Sequence, residues 1–335
     1  MLTYIVRRVL WMVPTMLGIT FLLLMVIQLA PGDPAAVATA GAMMSGDGAV
    51  AGSGDMQSPY EKFRERFHLD DSLPEQYWAW LKNVVVLDFG TEFFNPSQQV
   101  YDELKERLKV TVPLSLVATL LSYLIAIPLG IFSAVKRGSA MDKVITFGLF
   151  LLYSLPTFWA GLMLMLAFGA SGVDLFPVIG LHDKDADTFT NMQYMWDVLW
   201  HSVLPVATLT YGGVAYLSRQ MRVGMLEVIK QDYIRTAMAK GLPRRKIILK
   251  HAVRNSLIPV ITVFAQILPI LIGGSVLVET IFSIQGMGMY AFQGLLVRDY
   301  NVIMATVTFP SFLIFCGFLM SDVLYALVDP RIAYE

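Results

Sequence analysis

Four histidines (His68, His182, His201 and His251) and one cysteine, Cys316, are the strongest metal ligands and nucleophiles in the chain. The histidines are scattered, and there is no His-Glu-x-x-His and no Gly-x-x-x-x-Gly-Lys-Ser/Thr phosphate loop. Neither a metal site nor ATP hydrolysis is therefore written into these residues. A lone cysteine permits no intrachain disulfide and no Cys-based metal site. The informative spacing lies at 219–254, where ten Lys and Arg stand against Glu227 and Asp232. Met221, Met225, Val228, Ile229, Tyr233 and Ala237 step along one helical stripe, with Arg222, Lys230 and Arg235 opposite. Gly241-Leu242-Pro243 follows. Glycine is favoured where a helix ends in a left-handed turn, and proline suits the first turn of a new helix. Beyond it Ile247, Ile248, Ala252 and Val253 face inward while Arg244, Arg245, Lys246 and Lys250 face water. The pattern predicts two short amphipathic helices joined by a tight elbow. Its chemistry is recognition rather than bond-making. A basic helix lying on anionic lipid accounts for the stripe and the charges. A compact protrusion entering a groove on a soluble partner also accounts for the break between two good helices. His251 and Arg254, basic residues at the end of a span, read as anchors rather than catalytic groups.

The elements that hold this elbow follow from composition. Of 335 residues, 56% are hydrophobic and 15% charged, against about 25% charged in soluble proteins, so the chain is a membrane protein. The formal net charge of −1 gives no field that favours nucleic acid. Charge-free runs extend over 9–32, 110–135, 144–173, 198–218, 255–278 and 300–321. About 20 helical residues cross a hydrocarbon core of roughly 30 Å, and lipid offers backbone amides no partner, so each run predicts a transmembrane helix. The apolar core of 9–32 is longer than the roughly 7–15 residues of a signal peptide, so it reads as a span and not as a leader cleaved near Ala38-Thr39-Ala40. Lys and Arg are concentrated in connections 136–143 and 219–254 and at Arg7 and Arg8, which predicts cytoplasmic termini. Sixteen of the 25 basic residues then lie inside against six acids, and nine lie outside against twenty. Lys105, Arg107 and Lys109 run against the rule locally, as long translocated segments allow.

Residues 1–32 form the cytoplasmic N-terminal end and the first span, and 33–109 an external segment. Within that segment 35–58, rich in Gly, Ala, Ser and Met, reads as a flexible linker. Residues 59–109 read as a small helical cap, with Tyr60, Phe63 and Phe67 and then Tyr77, Trp80 and Leu81 at helical spacing around Pro74. A membrane-surface segment without a specific partner is the plainer alternative. Residues 110–335 form the core, with further spans at about 110–135, 144–170, 198–218, 255–278 and 301–325 and the loop 219–254. Eight of sixteen prolines fall inside spans, Pro156 among them, which suits a bundle that opens a pathway but also occurs in static bundles. Ser115, Ser122, Thr208, Thr210, Gln266 and Thr306 are candidates to line a pore, although Ser and Thr also join helices in lipid.

At the elbow the chain resembles the permease subunits of ABC importers of the dipeptide, oligopeptide and nickel type. The matching runs are Asp232-Tyr233-Ile234-Arg235-Thr236-Ala237-Met238-Ala239-Lys240-Gly241-Leu242 and His251-Ala252-Val253-Arg254-Asn255-Ser256-Leu257-Ile258-Pro259. They are similar to that group's form of the EAA loop, with Arg235, Thr236 and Ala237 in the Glu-Ala-Ala places. The resemblance covers nearly the whole chain, including Pro31-Gly32-Asp33-Pro34, Pro156-Thr157-Phe158-Trp159, Glu279-Thr280-Ile281-Phe282-Ser283 and Asp329-Pro330-Arg331-Ile332. It departs at Ile284-Gln285-Gly286-Met287-Gly288, where the family usually has a proline, and at the insertion-like 35–58.

The resemblance implies an all-α membrane protein of the type I ABC importer permease fold, with six transmembrane helices and a small external helical segment between the first two. It implies a non-enzymatic subunit of a bacterial cytoplasmic (inner) membrane importer, forming half of the pore. Its partners would be a second homologous permease, two cytoplasmic ABC ATPase subunits and an extracytoplasmic solute-binding protein. ATP and Mg would be bound by the ATPases, with no cofactor in this chain. Asp232, Tyr233, Arg235, Thr236, Ala237, Ala239, Lys240, Gly241, Leu242, Pro243, His251, Arg254, Asn255 and Pro259 would form the ATPase-coupling loop. Substrates implied are dipeptides, oligopeptides, nickel chelates, glutathione or sugars. The rival is an ion-coupled secondary transporter or a channel without ATPase partners. It lacks intramembrane acids to serve as relays, and it leaves the elbow unexplained.

Overall fold

The computed structural model describes residues 2–37, 59–169, 171–257, 260 and 271–328. Among these residues no β-strand forms; Thr91 and Gln99 make an isolated antiparallel bridge. The long helices are α1 (Leu2–Leu29), α4 (Val100–Val135), α7 (Asn191–Val228) and α12 (Tyr300–Val328). The stretches Ile5–Leu29, Val100–Val135, Asn191–Val228 and Tyr300–Leu319 are long and apolar enough to cross a membrane. The fifth expected span, 255–278, lies for half of its length outside the described residues, which resume with the apolar helix Leu271–Ile281.

The third expected span, 144–170, differs from a single continuous helix. It is two helices, α5 (Ala140–Ser154) and α6 (Thr157–Phe168), bent by 102°. Pro156 has no amide hydrogen and its ring disfavours a helical Leu155. Both residues are extended, Leu155 at φ −78°, ψ 128° and Pro156 at φ −62°, ψ 136°. The hydroxyl of Tyr211 on α7 donates to the Leu155 carbonyl at 2.9 Å, so that oxygen at the break has a partner.

Two helices run past their charge-free cores. α4 begins ten residues before the expected 110 because its first turns carry charges that pair along the helix. Lys105 meets Asp102 at 2.7 Å, Arg107 meets Glu103 at 2.6 Å and Lys109 meets Glu106 at 2.6 Å, at the i,i+3 and i,i+4 spacings that place side chains on one face. The three basic residues that run against the orientation rule are thus each neutralised locally. α7 starts early because Thr190 and Gln193 form a capping box, and it runs on to Val228.

Among the described residues α4 and α7 share the most extensive helix contact. Small residues let them approach: a Cβ at Gly130 would lie 2.6 Å from the Ser218 carbonyl oxygen, and one at Gly213 2.7 Å from Ser122 Oγ. On the side away from the elbow, α2 (Pro59–Arg66) and α3 (Leu73–Val85) pack on the ends of α1 and α12. Leu73, Tyr77 and Trp80 sit against Leu24, Ile27, Ile303 and Met304, and Tyr77 donates to the Leu17 carbonyl at 2.9 Å. Phe63 and Phe67 join Phe93, with ring centroids 5.4 and 4.3 Å away. The aromatic spacing therefore marks a docked element. The linker 35–58 lies outside the described residues from 38 onward.

Candidate functional site

The elbow is built on the end of the α4–α7 pair. α7 ends at Val228, residues 229–231 turn, and α8 (Asp232–Ala239) follows. The stripe predicted across Met221 to Ala237 as one helix is therefore interrupted, and its phase shifts. Met221, Met225, Ile234 and Ala237 are buried, while Tyr233 is 42% exposed. No Gly or Pro announces this turn; packing of Ile234 and Ala237 onto Ala134, Met221 and Met225 selects it. Arg222, expected on the wet side, is also drawn inward.

The Gly241 turn forms as its residues dictate. Gly241 has φ +71°. Its amide donates to the Met238 carbonyl at 2.9 Å, and the Leu242 amide donates to the Ala237 carbonyl at 3.3 Å. This is the paired Schellman closure of a helix end, completed by Leu242 packing into the cluster that holds Ala237. A Cβ on Gly241 would touch nothing within 4 Å, so glycine is required there for its backbone angle and not for space. Pro243 stands one place before the next helix and not inside its first turn. Helix α9 comprises Arg244–Lys246, a π-wound stretch Ile247–Ala252 and Val253–Ser256. Ile247, Ala252 and Ser256 are buried, and the Ser256 carbonyl oxygen lies 2.7 Å from where a Cβ on Gly224 would be.

What remains outward is basic and apolar together. Arg235, Lys240, Arg244, Arg245, Lys246, Lys250 and Arg254 are exposed, with Tyr233, Met238 and Leu249 beside them. Asp232 and Arg235 form a solvated pair at 3.4 Å, and Thr236 Oγ1 donates to the Asp232 carbonyl at 3.0 Å. Asn255 Nδ2 donates to the Tyr233 hydroxyl at 2.7 Å, tying α9 to α8. Ala239 is exposed at the end of α8 and His251 is half-buried. Pro259 lies outside the described residues. The arrangement can bind an acidic, grooved surface; among the described residues it holds no group of three or more His, Cys, Asp or Glu fit for a metal.

Asp142 is a working residue that sequence reasoning did not single out, and Arg222, read there as a solvated charge, is its partner. Asp142, 4% exposed, accepts from Ser133 Oγ, from the Gly138 amide at 2.9 Å and from Arg222 Nη2 at 3.0 Å. The Ser133 hydrogen bond, with the Gly138 amide and the Arg222 charge, outweighs burial and holds the carboxyl below the usual aspartate range. This clamp binds the α4–α5 hairpin to α7 one turn and a half before the elbow. Its one visible signal is a lone acid in the basic connection 136–143.

The pore candidates sit elsewhere. Ser115, Ser122, Thr208, Thr210 and Thr306 are all buried within this chain. Ser122 Oγ donates to the Thr210 carbonyl at 3.1 Å and Thr210 Oγ1 to the Ala118 carbonyl at 3.3 Å, joining α4 to α7. Thr208 and Thr306 donate to carbonyls one turn back, at 2.8 Å each. In this conformation four of the five hold backbone together, and Thr210 also borders an apolar groove between α4, α5 and α7. Gln266 lies outside the described residues.

Comparison with known proteins agrees with this architecture. The family described as "Binding-protein-dependent transport system inner membrane component" matches residues 126–334, and its N-terminal companion matches 1–115. The oligopeptide transport system permease protein AppB of Bacillus subtilis (strain 168) is 39% identical over 334 residues, covering 100% of both chains. The dipeptide transport system permease protein DppB of the same organism is 34% identical, covering 99% of this chain and 98% of its own. Among solved structures, an inward-facing form of the MetNI methionine ABC transporter superposes with TM-score 0.51 at 17% identity, covering 68% of this chain and 96% of that one. At that identity the likeness speaks for the fold alone.

Proposed function

Because the chain belongs to the family of binding-protein-dependent transport system inner membrane components, we propose that it is half of the translocation pathway of an ATP-driven peptide importer, paired with a second homologous permease. The elbow carries this reading. Its buried underside grips α4 and α7, while its outer face is basic and partly apolar. Two cytoplasmic ATPase subunits, which bind ATP and Mg themselves, dock on 232–254. Their closure pushes α8 and α9, and the push passes into α7 and the fifth expected span, changing which side of the pathway is open. An extracytoplasmic solute-binding protein delivers substrate at 59–109 and 279–299. Peptides are favoured as substrate by the names of the oligopeptide and dipeptide relatives. The chain sits in a bacterial cytoplasmic membrane with both termini and the elbow inside.

Gly241→Val tests the coupling role. Valine resists the left-handed angle of +71° that ends α8. The variant is expected to insert normally and to lose both ATPase association and peptide uptake; normal uptake would remove the coupling role. For orientation, with Cys316 replaced, a cysteine at Lys184 should react with an impermeant reagent from outside and one at Lys246 should not.

A further inference from the structure

Residues 271–297 contain a second device that the elbow does not account for. Short helix α10 (Val276–Ile281) ends in a turn that leads to α11 (Met287–Val297). Glu279, in α10, is 2% exposed. Its Oε1 accepts from Thr111 Oγ1 on α4 at 3.0 Å and from the Ser275 amide at 3.4 Å, and its Oε2 accepts from the Met289 amide at 2.8 Å. Thr111, 1% exposed, in turn accepts the Met287 amide at 2.8 Å. The chain of donors runs Met287 N–H to Thr111 O–H to Glu279. The groups facing the carboxylate, the Gly288 amide among them, are all donors, and none carries a charge.

Three glycines enclose it. A Cβ at Gly286 would fall 2.5 Å from both Glu279 Cδ and Thr111 Oγ1. One at Gly288 would fall 2.6 Å from the Val276 amide nitrogen, and one at Gly274 2.5 Å from Glu279 Oε1. Next to this knot Phe282 and Ile284 are buried against Leu114, Ala118, Leu204 and Val206, and the Gly180 amide donates to the Phe282 carbonyl at 2.7 Å. Helix α4 and both sides of the 282–286 turn therefore meet at one carboxylate, and the α6–α7 connection is bound beside it at Phe282.

We propose that Glu279 is a positioning residue for transport, fastening the outer end of the fifth expected span to α4 and to α11 so that the outer loop follows that span as one body. This rests on the ATP-driven reading above, in which the same span continues from the elbow. Glu279→Gln keeps the shape but turns one acceptor into an NH2 donor facing donors. Thr111→Val removes the relay, and Thr111→Ser keeps it.

The test uses the complete importer in proteoliposomes, wild type beside these three variants, with a defined pool of tri- to pentapeptides as probe. A second readout is hydrogen exchange over 286–290 in the purified full chain. For Glu279→Gln and Thr111→Val, exchange should accelerate about tenfold. Maximal uptake should fall about tenfold at unchanged half-saturating peptide concentration, with the amount of assembled complex and its basal ATPase activity retained. Thr111→Ser should behave as wild type. Unchanged exchange in both variants overturns the proposal, as does uptake that falls only in step with melting temperature and assembled complex. If the wild-type complex shows no ATP-dependent uptake, the importer reading fails, while the exchange result still decides whether the carboxylate fastens the loop.

Discussion

The elbow and the Glu279 knot solve opposite problems with similar residues. Both turn the chain sharply between short helices, and both depend on glycine. At the elbow the charges point to water, the apolar side is buried beneath, and Gly241 has open space around it. At the knot the charge is inside, every partner is a neutral donor, and the glycines are required because nothing larger fits. The elbow can draw on the hydrophobic effect because it faces water. At the knot, close backbone contact and buried hydrogen bonds carry more of the load. A surface built the first way tolerates change and can be rebuilt around a partner. A knot built the second way transmits position and tolerates little.

The sharpest contrast comes from placing alanine at a glycine in each region. Gly288→Ala should cost about 3 kcal/mol, because its Cβ meets backbone. Gly241→Ala should cost about 1 kcal/mol, the strain of a left-handed alanine alone. Chemical denaturation of the purified variants checks the ratio, and equal costs would erase the distinction.

A second buried acid near the knot gives a pH signature. Asp299, 2% exposed, accepts from the Phe93 amide at 2.5 Å and the Val302 amide at 3.1 Å. Burial, with the Glu92 charge adding to it, pushes its carboxyl from 3.8 up to about 6; Glu103, Arg107 and Tyr290 line the same recess. Between about pH 4 and 6 the folded chain keeps a proton that the unfolded chain has released. This group's contribution to stability therefore falls as pH rises through that interval, by on the order of 3 kcal/mol, and is flat above it. Melting temperature against pH, with Asp299→Asn as the flattened control, reads it.

Arg222→Ala at the Asp142 clamp should cost about 1 kcal/mol, an intermediate value for a buried acid with a partly exposed partner. It should weaken uptake more than it weakens folding. The smallest effect belongs to the elbow surface: Asp232→Ala breaks a solvated pair and should change stability by no more than about 0.5 kcal/mol.

Much of this was legible in sequence. Charge-free runs located the long helices, and Gly241-Leu242 announced its Schellman turn by type and position. The 102° bend at Pro156 was not legible, because a charge-free run has length but no direction. The turn at 229–231 was missed because no breaker residue marks it and tertiary packing alone sets it. Glu279 and Asp142 read as connection acids, since burial of a carboxylate depends on distant donors such as Thr111 and Arg222 that only folding brings near. For the serines and threonines of the spans, periodicity cannot separate a hydroxyl that lines space from one that bonds the preceding turn.

The elbow's role rests most directly on which protein touches it. With Cys316 replaced by serine, Arg245→Cys and Lys184→Cys variants can be treated in native membranes with a short thiol-reactive photocrosslinker. Arg245→Cys is predicted to capture an ATPase subunit and Lys184→Cys to capture none. Capture of the ATPase from Lys184→Cys, or of only external protein from Arg245→Cys, would contradict the account.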